Sequence, residues 1–242
     1  MNDVSFLSLN NASDFCANNP EIPALVIISY LFMVVLYLND EVMRKRCFAI
    51  WNLFICLFSI MGCIIVNRYL YDHVISKGIV KSLFILPHDV GKWISIFVFS
   101  KFIELGDTVF LVIRRKKLIF LHWYHHSTVL LFCWYALAKR LPFTTHFAGM
   151  NYFVHSIMYL YYFCTNIGLY HVVSHVAFLI TLLQVTQMVL GMGIVSITYF
   201  HRKSYPELNL DTLFWSFAMY ASYFLLFAGF FVKRYMKKPK RE

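Results

Sequence analysis

Residues 93–138 read WISIFVFSKFIELGDTVFLVIRRKKLIFLHWYHHSTVLLFCWYALA, two apolar stretches joined by the basic run Arg114-Arg115-Lys116-Lys117. A helix crossing a bilayer needs about 20 mostly apolar residues to cover a hydrocarbon core roughly 30 Å thick. Each half of the segment meets that length, and the short basic connection predicts two antiparallel spans. Working outward, five more stretches qualify, at 22–38, 47–66, 147–167, 172–196 and 212–232, which with 93–113 and 118–138 predict seven spans. The expected fold class is all-α, a polytopic membrane protein with seven transmembrane helices. One domain uses the whole of 1–242: an outer N-terminal segment at 1–20, a helical bundle over 21–232 and a basic tail at 233–242.

Composition agrees. Of 242 residues, 60% are hydrophobic and 14% charged, whereas a soluble domain is nearer half apolar and a quarter charged. The formal charge is +10, and most of the basic residues fall on one side of the predicted bundle: Arg44, Lys45, Arg46, the run 114–117 and the tail from Lys233 to Arg241. The positive-inside rule puts that side in the cytosol and the N-terminus outside. Basic residues beside membrane spans argue against a nucleic-acid partner. The polar and acidic lead-in to the first span does not resemble a cleaved signal peptide, which opens on a basic segment. Six cysteines show no disulfide spacing, and most lie in apolar runs, which predicts buried packing. Asn11-Ala12-Ser13 is a glycosylation sequon on the outer side. Residues 67–92 are expected to lie along the outer interface. Lys238 and Lys240, fifth and third from the end, have the spacing of a dilysine retrieval signal of the endoplasmic reticulum.

Ionisable side chains at membrane depth are costly, so each one is a functional hypothesis. The third span carries Lys101, Glu104 and Thr108 at i, i+3, i+7, with Asp107 beside them. His122, His125 and His126 share one face of the fourth, and Asn151, His155, Tyr159 and Tyr162 form a stripe on the fifth. The sixth adds Thr181, Gln184 and Gln187. At 1.5 Å per residue these stripes meet at similar depth, between the midplane and the inner surface. Imidazole can serve as base, acid, nucleophile or metal ligand. Glu104 or Asp107 is placed to accept a ring N–H and so orient a nucleophilic imidazole. The run 114–117 is placed to receive a phosphate-bearing head group. Transfer chemistry on a charged amphiphile is the expectation.

These residues carry a resemblance. Lys101-Phe-Ile-Glu104-Leu-Gly-Asp107-Thr108 resembles the KxxELxDT motif of the very-long-chain fatty acid elongases. His122-Trp-Tyr-His125-His126 resembles their HxxHH box, His155-Ser-Ile-Met158-Tyr159-Leu-Tyr161-Tyr162 their HxxMYxYY, and Thr181, Gln184 and Gln187 their TxxQxxQ. All four occur in family order. The resemblance implies a seven-helix bundle enclosing an acyl tunnel, in the endoplasmic reticulum, with the N-terminus luminal and the C-terminus cytosolic. It implies a 3-oxoacyl-CoA synthase that condenses malonyl-CoA with a long-chain acyl-CoA, releasing CO2 and CoA, without cofactor or metal. It implies a catalytic set of His122, His125, His126, His155, Glu104 and Asp107, with His125 as the acyl-accepting nucleophile or, alternatively, a histidine acting as base in direct condensation. Substrate contacts fall to Lys101, Arg114, Arg115, Lys116, Lys117, Asn151, Tyr159, Tyr162, Gln184 and Gln187. Partners are the two CoA thioesters, the bilayer, and the reductases and dehydratase of the elongation cycle, with homo-oligomerisation open. Lys117, where polyunsaturated-chain elongases commonly have Gln, looks more like the saturated and monounsaturated subgroup.

Three rivals deserve an answer from the residues. Membrane desaturases and hydroxylases hold two irons with histidine boxes, and His171-Val-Val-Ser-His175 supplies an HxxxH, but it follows the HxxHH box and no second HxxHH exists. A seven-helix transporter or receptor has no need of three histidines on one face beside two carboxylates. Cys133, i+7 from His126, would be a thiol nucleophile, against which stands its deeply apolar surroundings.

Overall fold

The computed structural model describes residues 8–35, 44–204 and 208–236. The dilysine-like pair therefore lies outside the described residues. The chain runs through α1 (Leu9–Asn18), α2 (Ile22–Val35), α3 (Arg44–Lys77), α4 (Ile79–Ser82), α5 (Gly91–Glu104), α6 (Gly106–Ile113) and α7 (Phe120–Ala138). It continues through α8 (Thr144–Asn166), α9 (Tyr170–Val173), α10 (Val176–His201) and α11 (Leu210–Phe231), with a π-helical turn at Val232–Met236. No strand occurs among the described residues.

Among the described residues three helical stretches are long and apolar enough to cross a membrane: Phe48–Lys77, Val176–His201 and Leu210–Met236. The chain is thus an all-helical, multi-pass membrane protein. The shorter or more polar helices carry His122, His125, His126, His155, Lys101, Glu104, Asp107 and Asn151. His122, His125 and His126 dilute the apolar run of α7, and Asn151 and His155 dilute that of α8. A stripe turned inward lowers the mean hydropathy of a helix without exposing its polar groups to lipid.

The third predicted span, 93–113, is two helices, α5 and α6, joined at Leu105. The chain tightens there, with Thr108 N–H bonding to Leu105 C=O at 3.1 Å in an i+3 pattern. Gly106 supplies a physical reason. A Cβ on it would lie 2.5 Å from Trp51 Cζ2, so the break sits where α3 presses its indole against the backbone. Leu105 itself keeps right-handed helical dihedrals. Lys101 and Glu104 lie before the junction and Asp107 and Thr108 after it, and Asp107 accepts from Trp51 Nε1.

Helices α3 and α8 pack along their length. Asn67 Nδ2 donates to Gly149 C=O at 3.1 Å, a contact that a Cβ at Gly149 would obstruct at 2.6 Å from Asn67 Oδ1. Tyr152 of α8 donates its hydroxyl to Trp93 C=O at 3.1 Å. The N-terminal segment is more built-in than its polar composition implies. Leu9, Ala12 and Cys16, at i, i+3, i+7, are buried in one cluster with Trp134 and Leu137 of α7 and with Ile94 and Val98 of α5. Ser8 caps the helix by accepting from Asn11 N–H. Trp134 Nε1 donates to Cys16 C=O at 3.0 Å, and Arg140 donates to Ser13 Oγ at 2.7 Å and to Asp14 Oδ1 at 2.5 Å. The sequon is thus helical, with Asn11 exposed and Ser13 buried. Cys16, Cys56 and Cys133 are buried free thiols, and Cys63 and Cys164 are half-buried free thiols.

Candidate active site

The stripes of α5, α7 and α8 converge. Lys101 Nζ donates to Glu104 Oε1 at 2.6 Å and to Asn151 Oδ1 at 2.9 Å, and sits 4.1 Å from the centroid of Phe97. Both charged groups are buried. An ion pair so far from water stands only with short, charge-assisted hydrogen bonds, which this one has. The same Glu104 oxygen lies 3.7 Å from His155 Nδ1. Of the two carboxylates considered for orienting an imidazole, Glu104 therefore stands beside His155, and Asp107 is engaged elsewhere. Asp107 Oδ1 accepts from Trp51 Nε1 at 2.7 Å, and its Oδ2 accepts from the hydroxyl of Tyr159.

The box histidines sit on the first turns of α7, one face inward. His122 Nε2 pairs with Thr108 Oγ1 of α6 at 2.8 Å. The His122 and His126 rings lie 4.4 Å apart, and those of His125 and His126 5.5 Å apart, edge to face. His125 also contacts Tyr223 at 4.8 Å and Phe227 at 5.7 Å, both of α11. Among the described residues its ring is held by these aromatic contacts and by no hydrogen bond.

Two cavities meet here. One, about 160 Å³, is the more polar: His122, His125, His126, His155, Asp107 and Gln184 line it together with apolar Ile119, Leu121, Met158, Phe227 and Phe230. The other, about 30 Å³, is mostly apolar and runs along Phe97, Phe132, Cys133, Phe147, Met188 and Tyr220, with Asn151 and Gln187 also on its wall. Among the described residues His125 is the one that lines both. A thioester carbonyl held at His125 would have its polar head on one side and its hydrocarbon on the other.

The remaining expected site residues fall in several places. Tyr162 and Gln184 line the polar cavity, and Gln184 donates to Met158 Sδ at 3.3 Å. Tyr159 is fully buried on Asp107 and lines neither cavity. Arg114 is held by Asn166 Oδ1 at 3.0 Å and by the ring of Phe48, 4.8 Å away. Arg115, Lys116 and Lys117 are exposed in the turn before α7, two residues short of Ile119 on the wall of the polar cavity. Trp51, Tyr223, Phe227 and Phe230 were not anticipated. Tyr223 and Phe227 had a signal in their i, i+4 spacing on a candidate span; Trp51 had none, because its partner is 56 residues away. Among the described residues no group of three or more His, Cys, Asp or Glu side chains is arranged to hold a metal ion.

With this geometry in place, comparison with known proteins gives a family. The GNS1/SUR4 (ELO) family model matches residues 15–242. "Fatty acid elongase 3" of Trypanosoma cruzi is 36% identical over 90% of this chain and 85% of its own. "Very long chain fatty acid elongase 3" of Mus musculus is 36% identical, over 89% and 83%, and "Very long chain fatty acid elongase 6" of Rattus norvegicus is 36% identical, over 89% and 85%. The chain belongs to the GNS1/SUR4 (ELO) family.

Proposed function

We propose that this protein is a very-long-chain 3-oxoacyl-CoA synthase, condensing malonyl-CoA with a long-chain acyl-CoA to give 3-oxoacyl-CoA, CO2 and CoA. The observation that carries the mechanism is the position of His125 between the polar and apolar cavities. An imidazole nitrogen of His125 attacks the acyl thioester. A C–N bond forms as C–S breaks, and CoA leaves with the proton the ring sheds. Malonyl-CoA then loses CO2, and its enolate attacks the acyl-imidazole carbon. The C–N bond breaks and the ring regains a proton from solvent. His122 and His126 flank the centre, and Glu104 orients His155, which is placed for proton transfer or enolate stabilisation. Asn151 and Gln187 face the acyl part, and Tyr162 and Gln184 the head. The exposed cations Arg115, Lys116 and Lys117 meet the CoA phosphates, a role in which Arg114 joins them by releasing Asn166. The chain needs no cofactor in this scheme.

The inner cavity holds about one water's volume, so an acyl tail enters as Met188, Met219 and Phe132 shift, Met side chains being the readiest to re-pack. Seven spans follow if α2, the α5–α6 pair, α7 and α8 join the three apolar helical stretches. With the basic turns cytosolic, the N-terminus is luminal, and the membrane is that of the endoplasmic reticulum, where the reductases and dehydratase of the cycle are natural partners. Lys117 favours saturated and monounsaturated substrates. The test is an elongation assay in membranes carrying this protein, with labelled malonyl-CoA and a panel of acyl-CoAs. Label in a 3-oxoacyl-CoA two carbons longer, with CO2 evolved, is expected; malonyl-CoA left unconsumed across the panel contradicts the reading.

A further inference from the structure

A third opening reaches the site through Glu104 and plays no part in the steps above. It is a groove of about 350 Å³ between α3 and α5, walled by Phe54, Phe58, Phe99 and Ile103, with Ser100 and Glu104 also on its lining. Its rim is open, Phe54 being 56% and Ile103 44% exposed, while Glu104 is 3% exposed. Phe48–Lys77 is apolar and long enough to span a membrane, and the exposed apolar rim suits the groove to lipid. Its volume lies in the range of pockets that hold small ligands, roughly 300–1,000 Å³.

The chemistry of Glu104 says what fits. Lys101 at 2.6 Å, Ser100 at 3.5 Å and His155 at 3.7 Å all approach Oε1. Oε2 is buried and has no hydrogen-bond partner among the described residues. A buried acceptor left without a donor is destabilising, so native structures rarely leave one unfilled. The donor must be neutral, because Lys101 already balances the carboxylate and the other walls offer no counter-charge. It must also carry hydrocarbon, to cover the aromatic walls.

We propose that this groove binds a long-chain alcohol-type lipid, its hydroxyl donating to Glu104 Oε2 and its chain lying against Phe54, Phe58, Phe99 and Ile103. Occupancy would act on the carboxylate that Lys101 and His155 share, so the site couples membrane composition to the histidine cluster. The binding itself is independent of the acyl-transfer reading. The test uses the full chain in phosphatidylcholine nanodiscs, irradiated with hexadecanol bearing a mid-chain diazirine and mapped by peptide mass spectrometry. Label is expected on the α3 and α5 segments that wall the groove. Unlabelled hexadecanol should compete about tenfold more effectively than its methyl ether, which cannot donate. Ile103→Trp, filling the groove, should remove most of the label; Phe54→Trp serves if that variant fails to fold. Equal competition by the ether, or label spread evenly over the lipid-facing helices, overturns the proposal in favour of annular lipid or a bound water only. Elongation activity, assayed separately, reports on the other reading.

Discussion

Asp107 has both carboxylate oxygens engaged, one by the Trp51 indole and one by the Tyr159 hydroxyl, and this ties α3 and α8 to the start of α6. A hydrogen bond to a charged group contributes about 1.5–3 kcal/mol, so Trp51→Phe should lower stability by about that amount. Thermal unfolding in detergent measures it, and an unchanged melting temperature would count against the bond. The catalytic prediction is sharper. His125→Ala should reduce elongation at least about a hundredfold, as loss of a nucleophile does, while the melt shows the variant still folded. Cys133→Ala should keep activity, although Cys133 lines the same inner cavity. The reverse pattern would move the nucleophile to the thiol. His122, His125 and His126 were legible in the sequence, because 3.6-residue periodicity alone puts them on one face. Trp51 was not, because nothing local to α3 announces a carboxylate that arrives from a distant helix. Tyr159 was legible as a polar stripe member, but only packing shows that its hydroxyl serves Asp107.

At the scale of elements, apolar runs located the helices but not where one breaks. At the α5–α6 junction Gly106 lies against Trp51, a tertiary contact that hydropathy does not encode. The N-terminal helix had a signal in Leu9, Ala12 and Cys16, obscured by the polar residues around them. Its docking is testable. Burial pushes the Cys16 thiol up to about 12, and thiolate is the reactive form. At pH 8 only about one thiol in ten thousand is then ionised, so maleimide should spare Cys16 in the folded protein and label it after denaturation. The sign is that reactivity rises toward pH 12 as the proton is lost. Ready labelling of the folded chain at pH 8 would mean that α1 is undocked. Between α3 and α8, Gly149→Val should cost about 1–3 kcal/mol, since its Cβ meets Asn67 Oδ1 at 2.6 Å. A melt unchanged from the native protein would show that the two helices separate without strain.

Across the whole molecule, the all-helical membrane class and the convergence of polar stripes followed from the sequence. The division of labour among those stripes did not. Lys101 and Glu104 form a buried pair under α8, Asp107 braces three elements, and His125 borders both cavities. Depth along a helix is readable from residue counts; which buried groups face a cavity and which face each other depends on how the helices cross. The central claim is that His125 carries the acyl group. Purified protein mixed with acyl-CoA alone, without malonyl-CoA, should release close to one equivalent of CoA and gain an acyl mass on the His125 peptide. His125→Ala should do neither. If no CoA is released until malonyl-CoA is added, condensation is direct and the covalent account is wrong.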